Sequence, residues 1–479
     1  MKRTSWLAII ALGVALALGT WGSATLAQRG GGAQRGGGAA RGGGLGQRGG
    51  GPAAPASLPD KPTAVALPTV SAEITGPGKI YDSATSLPPG RDLAHYKYEA
   101  REYFISGTAS GKPYSTRIVV RKPASGKFSG LAMVEAMHPS GAAHMFEFTS
   151  DYAMSSNHMA VEVVTNLTEL LAQNQERYKN LSVANDQVSE ILAQVGALVK
   201  SKKAGTPFAS VTPRKMALAG TSATARILIQ YLPSHMVLRT PDMQRIYDGF
   251  LAMSIADTIM PVDVPLIHVP TMTEFVRGGN VSERPDGDAA GDQFRLYQFA
   301  GMAHVDSRDS VRFKPDPCRY PSSRFPVQVY MSVALDNLYN WIDKGKPAPR
   351  AARITLDRDT ANDGSPMALD ANGNAKGGIR NPYVDVAVSQ YGVANEAANP
   401  PVPNPSPWIA AHGANAPNQM CGLAGFELPF SKQQLKKLYG TPQAYQELVK
   451  KSVMDAEKAG WSLPVYRDFI LADAAKVTF

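Results

Sequence analysis

Three side chains far apart in the sequence, Ser222, Glu274 and His304, have the types and the order of a nucleophile, a carboxylate and a base. A serine hydroxyl is a poor nucleophile at neutral pH. It needs an imidazole to take its proton, and that imidazole needs a carboxylate to fix its tautomer and stabilise its charged form. Ser222 lies in residues 215–232, KMALAGTSATARILIQYL. Met216 to Ala219 form a short apolar run, residues 220–224 a turn, and Ile227, Leu228, Tyr231 and Leu232 fall at helical spacing. A buried strand, a very tight turn and a helix hold a serine at a strained apex. The residues two before and two after such a serine crowd each other and must be small. Gly220 meets that demand, whereas Thr224 stands where a second glycine is usual. The competing reading of the same stretch is a helix N-terminus capped by Thr221 or Ser222.

The elements around these residues must deliver them to one place. Period and turn signals predict strands over 98–106 and 115–121 joined by a turn at 108–112, then strands over 130–137 and 158–165. Helices are predicted over 145–155, 186–201 and 326–344. Residues 263–273 read as a strand ending at Glu274, residues 277–292 as a loop, and residues 294–300 as a strand ending at the Gly301–His304 segment. Strands alternating with helices make an α/β architecture, a mostly parallel central sheet with helices on both faces. Such sheets place chemistry at the carboxyl ends of their strands, where Ser222, Glu274 and His304 would all fall. Residues 350–419, rich in Pro, Asn, Gly and Asp, read as an irregular wrap, followed by helices over 431–438 and 442–459.

Rivals for each role are present. His138, His144, His158, His235 and His268 are less well placed for the base. Asp286, Asp288 and Asp292 compete with Glu274 from the loop that follows it, and Asp306 reads as structural. A developing oxyanion needs two fixed N–H donors. Ala223, directly after the serine, supplies one. The other is expected from the turn at 138–141, where Pro139 has no N–H, which leaves His138, Ser140 or Gly141.

The 479 residues, 44% of them hydrophobic, suffice for one large domain or two smaller ones. Residues 1–27 read as a secretory signal: Lys2 and Arg3, an apolar centre over 7–18, and a small-x-small cleavage site at Thr25-Leu26-Ala27. The apolar run is short for a retained membrane anchor. Residues 28–51 are an RGGG tract and residues 52–68 a Pro/Ala linker, so 28–71 is expected to be disordered and the folded body to span 72–479. Six of the nine net positive charges lie at Lys2, Arg3, Arg29, Arg35, Arg41 and Arg48, leaving 9 − 6 = 3 for the rest. Nucleic-acid binding by the body is therefore not expected. The two cysteines, Cys318 and Cys421, form one disulfide in an exported chain or remain two buried thiols. No H-E-x-x-H or clustered His/Asp spacing occurs, and no metal or cofactor is expected.

The segments VEAMHPSG, GTSATARIL, PTMTEF, FRLYQFAGMAHVD, CRYP, NWIDKGKPAP, GNAKGGIRNPYVDV and CGLAGFELPF resemble, in order, those of a family of mostly exported bacterial α/β-hydrolase domain proteins. The resemblance runs from about residue 72 to the C-terminus. That family usually has Asn at the position of His138 and a small Ser at that of Thr224. Its acid segment usually reads T-E-x-D, which places Met272 on the first acid and Glu274 on the second. The order serine, acid, histidine is that of the α/β-hydrolase fold. The resemblance implies a serine hydrolase with Ser222, Glu274 and His304 as its triad. The expectation is a secreted or periplasmic esterase acting on a small ester or lactone, without stable membrane insertion. An acyltransferase on the same scaffold and a non-catalytic binding protein are the alternatives.

Overall fold

A computed structural model describes residues 58–88, 90–277, 283–308, 310–357 and 366–479. The expected signal and the RGGG tract lie outside these residues. Ten strands form one sheet. In chain order they are β1 (Thr69–Val70), β2 (Tyr98–Ala109), β3 (Lys112–Pro123), β4 (Leu131–Ala136), β5 (Met159–Val163), β6 (Lys215–Thr221), β7 (Gly249–Met253), β8 (Leu266–Val269), β9 (Gly287–Ala289) and β10 (Asp292–Leu296). Their spatial order is β9-β10-β8-β7-β6-β4-β5-β3-β2-β1. The six strands from β10 to β5 pair in parallel, and the edges are antiparallel.

Side-chain alternation along these strands divides the interior in two. Met133, Ala217, Ala219, Leu251, Met253 and Ile267 point to one face, where they pack on helices α1 (His144–Ser155) and α5 (Val327–Lys344). Ala132, Val134, Met216, Leu218, Phe250 and Ala252 point to the other and meet α2 (Val188–Lys200) and α3 (Ala223–Val237). Both faces are apolar because both are covered, which is why the central strands read as continuous apolar runs.

Several boundaries differ from the sequence-based expectations. The hairpin between β2 and β3 closes on two residues, Ser110 and Gly111, both with positive φ, instead of the five at 108–112. Thr63 and Ala64 bridge to Leu238 and Arg239, and Thr69–Val70 adds a strand to β2, so regular structure begins within the stretch expected to be linker up to residue 71. Threonine and valine favour extended backbone, and a bare sheet edge offers the partner. The central strand β7, GFLAM, was not anticipated; five apolar residues without a period carry no signal that separates strand from buried helix. Only four residues of 263–273 are strand, and Glu274 falls on the short helix α4 (Met272–Arg277). Within 277–292, expected to be loop, β9 pairs with β10, while residues 278–282 lie outside the described residues.

The C-terminal third wraps the body with short pieces, among them α6 (Ala416–Ala424) and the long helix α7 (Pro442–Ala459). Cys318 and Cys421 are joined by a disulfide that closes 103 residues of chain. It clamps α6, and Leu423 on that helix accepts the backbone N–H of His304 at 3.1 Å. In the chain-entropy view a loop of this length contributes about 4 to 5 kcal/mol. The Cys421→Ser variant should therefore unfold at clearly lower denaturant concentration than the parent. Adding reductant should lower the parent to the variant's midpoint and leave the variant unmoved.

Candidate active site

The serine turn is built from local backbone demands. β6 ends at Thr221 and α3 starts at Ala223, so Ser222 alone makes the turn, with φ +57° and ψ −121°. Positive φ at a non-glycine residue costs about 1–3 kcal/mol and persists only where neighbours enforce it. Here the Ser222 N–H donates to Met253 O on β7 at 3.0 Å. A Cβ at position 220 would stand 2.4 Å from the Thr224 carbonyl oxygen, so only glycine fits there. Thr224 is accommodated because its side chain turns away from that contact. Its Oγ1 accepts the Thr221 N–H and donates to Thr221 O, both at 2.9 Å, which fastens the strand end to the first helical turn.

The acid and base meet across two other segments. His304 Nδ1 lies 2.6 Å from Glu274 Oε1, and both side chains are buried. Glu274 Oε2 accepts the Thr271 N–H at 2.7 Å and the Thr271 hydroxyl at 2.6 Å. Burial pushes the Glu274 carboxyl upward, but the His304 imidazole and the Thr271 hydrogen bonds outweigh it and hold the carboxyl below the ordinary range. The carboxylate accepts, so His304 carries a proton on Nδ1 and presents a lone pair at Nε2. The His304 backbone is fixed too, its N–H shared between Leu423 O and Thr273 Oγ1, each at 3.1 Å. Thr271 and Thr273 were not singled out from sequence; the T-x-T-E spacing around Glu274 is the signal that could have found them.

The sheet relates these parts. Ser222 follows β6, and β8, which leads into α4 and Glu274, lies two strands away across β7. His304 sits on a loop eight residues beyond β10, not at a strand end, and is tied to α4 through the Met272 N–H to Met302 O bond at 2.9 Å. No hydrogen bond joins the Ser222 hydroxyl to His304 among the described residues. That bond commonly tightens only with substrate in place.

The rival residues are committed elsewhere. His158 bonds Ser129, His235 bonds Asp263 and His268 bonds the Ile255 carbonyl. Asp286 pairs with Arg353, Asp288 with Arg295 and Arg350, and Asp292 with Arg284. Asp306 caps the Arg308 N–H at 2.7 Å. His144 is different: its Nδ1 lies 3.0 Å from Glu147 Oε2 and its Nε2 3.2 Å from Ser140 Oγ, a second serine–histidine–glutamate chain. Ser140 has no strained turn beneath it, however, and its Oγ also lies 2.8 Å from His138 Nδ1.

Of the expected oxyanion donors, Ala223 opens α3, where helix N–H groups lack intrahelical partners. The turn expected to supply the second does not offer it from His138, Ser140 or Gly141. The His138 N–H donates to Ala142 O at 2.9 Å and that of Gly141 to His138 O at 2.8 Å, while that of Ser140 donates to His138 Nδ1 at 3.1 Å. The turn folds on itself so tightly that its own acceptors use these donors. A cleft of about 910 Å³ lies at the opposite edge of the sheet, lined by Lys215, Asp248, Pro265 and Gln293 near the amino ends of β6, β7, β8 and β10. Among the described residues no group of His, Cys, Asp and Glu could hold a metal ion, and no helix is long and apolar enough to cross a membrane.

A mostly parallel sheet covered by helices on both faces, with a serine on a positive-φ turn between strand and helix and a histidine–glutamate pair reached from strands further along the same carboxyl edge, is the arrangement of the α/β-hydrolase fold. The chain belongs to the α/β hydrolase domain family, whose profile matches residues 69–472. No curated protein matches the sequence. Among solved structures, a cold-adapted esterase from an Arctic intertidal metagenomic library aligns over 42% of this chain and 84% of its own, at 11% identity and TM-score 0.23. Acetyl xylan esterase 1 from a Thermoanaerobacterium species aligns over 40% and 53%, at 8% identity and TM-score 0.24. A thermostable esterase from Pseudomonas putida aligns over 37% and 50%, at 16% identity and TM-score 0.23. These overlaps are too loose to bear on the chemistry.

Proposed function

We propose that the protein is an exported serine hydrolase that cleaves small carboxylic esters or lactones. The observation that carries this reading is the 2.6 Å pair of Glu274 and His304, which leaves Nε2 as the free base in a site with the strained Ser222 turn. Ser222 Oγ attacks the carbonyl carbon as its proton passes to His304 Nε2. The alkoxide leaves with that proton, and the acyl group stays on Ser222. Water then attacks the acyl carbon as one of its protons passes to His304, the acyl–Oγ bond breaks, and His304 returns that proton to Ser222 Oγ as the acid leaves. The disulfide and the basic, then apolar N-terminus support export.

A fluorophosphonate probe tests the assignment. The expected result is one adduct, mapped by peptide mass spectrometry to Ser222 and blocked by prior heat unfolding. An adduct on Ser140, or none on the folded protein, would overturn it. With labelling established, a chromogenic ester panel of graded acyl length defines the substrate range.

A further inference from the structure

The oxyanion needs a second donor, and the turn's expected backbone donors are used. Two donors remain there, the Ala142 N–H and the His138 ring. A backbone N–H can only donate, so the 3.1 Å contact from the Ser140 N–H makes His138 Nδ1 an acceptor. The neutral ring must therefore carry its proton on Nε2, and among the described residues no hydrogen bond is made from Nε2. The ring is held in place. Ser140 Oγ, 2.8 Å from Nδ1, continues to His144 and Glu147, and the His138 and His144 rings contact each other with centroids 4.8 Å apart.

The sheet puts His138 beside the nucleophile. Strands β4 and β6 pair in parallel with Leu131 opposite Lys215 and Glu135 opposite Ala219. The same offset carried three residues further sets His138 level with Ser222, on strands about 4.8 Å apart. At that level the strands part company. Met137 bonds back to Val163 on β5, whereas Ser222 bonds to Met253 on β7. The chain leaves β4 toward β5 and returns across it to β6, so this gap is the switch point at which open parallel sheets bind ligands. The register thus assigns His138 to one side of the gap and Ser222 to the other.

We propose that the neutral imidazole of His138 donates its Nε2–H to the substrate's carbonyl oxygen, serving with the Ala223 N–H as the oxyanion hole. This rests on the reading of Ser222 as nucleophile. As Ser222 Oγ bonds to the carbonyl carbon, the π pair moves onto oxygen and the hydrogen bond from Nε2 strengthens; no proton is transferred to or from His138. Burial above all, with His144, His304 and Arg312 facing it, holds the ring well below the ordinary imidazole value and hence neutral. Neutrality suits the role, because a neutral donor does not repel the imidazolium that His304 becomes.

The test compares His138→Leu and His138→Gln with the parent on a short-chain aryl ester, after the parent has been shown to react with the fluorophosphonate at Ser222. Leucine removes the donor; the glutamine amide can reach the position of Nε2. The expected result is a fall in kcat of about 10²–10³-fold for His138→Leu with KM changed less than about threefold, and recovery by His138→Gln to within about tenfold of the parent. An undiminished kcat in His138→Leu would assign the oxyanion to the Ala142 N–H and overturn the proposal while leaving Ser222 in place. Equal losses in both variants, with a lowered unfolding temperature, would make His138 structural and overturn it too. If His138→Leu does not fold, nitrogen NMR of histidine-labelled parent decides, with the His138 signal identified by its loss in His138→Gln. The Nε2–H tautomer at neutral pH supports the proposal, and the Nδ1–H tautomer or an imidazolium ends it. A parent that never reacts with the probe fails at the earlier step.

Discussion

Ser222→Ala should lower kcat for ester hydrolysis by about 10⁴–10⁶-fold and leave thermal unfolding nearly where it was. The first half follows because no other hydroxyl stands at the apex of this turn, that of Thr224 being tied to the Thr221 backbone, so only catalysis by the remaining donors and by binding survives. The second half follows from the backbone. Alanine keeps the Cβ, so the strain at φ +57° is unchanged, and no hydrogen bond from Ser222 Oγ is lost among the described residues. Ser222→Gly separates the two contributions further. Glycine relieves about 1–3 kcal/mol of strain and returns about 0.5–1 kcal/mol as extra freedom of the unfolded chain. A glycine variant that is inactive and slightly more stable than the alanine variant would show that the fold maintains this turn at a cost. Steady-state kinetics on a chromogenic ester and calorimetry on the same samples measure both. Activity in Ser222→Ala within tenfold of the parent would remove the serine from the mechanism.

What the sequence revealed of this site depended on whether a signal was local. The serine turn was legible because Gly220, the apolar run before it and the helical period after it are fixed by contacts within ten residues. Thr224 looked like a defect because the motif counts volume, whereas the structure turns its hydroxyl onto the Thr221 backbone. Glu274 was placed at a strand end, yet it lies on a short helix, because the few residues after Pro270 are too short a run to show a helical period. The two threonines that orient Glu274 and His304 were missed since each acts through a contact that depends on the fold. The expected donors in the turn at 138–141 failed for a related reason. Sequence shows which residues own an N–H, but not which N–H groups the turn consumes.

Glu274→Gln should be nearly as damaging as loss of the serine, although it changes one atom. Both Thr271 donors, the N–H and the hydroxyl, point at Oε2. A glutamine at 274 can satisfy them only with its amide oxygen there. Its NH₂ group must then occupy the place of Oε1, 2.6 Å from His304 Nδ1 in the parent. An NH₂ donor turns Nδ1 into the acceptor, moves the ring proton to Nε2, and leaves the imidazole with no lone pair for the serine. The expected loss is about 10⁴-fold in kcat, with Ser222 still in its turn. The stability profile changes in a definite direction. Because the Glu274 carboxyl is held below its ordinary value in the fold, its ionisation stabilises the protein above the unfolded value, and that contribution is lost as pH falls through the folded one. The parent should therefore lose stability on acidification below about pH 4.5, and Glu274→Gln should lose less over the same range. Nitrogen NMR of the His304 ring, urea unfolding across that range and ester kinetics read the three consequences separately. An unchanged His304 tautomer beside unimpaired turnover would mean that Glu274 does not orient the base.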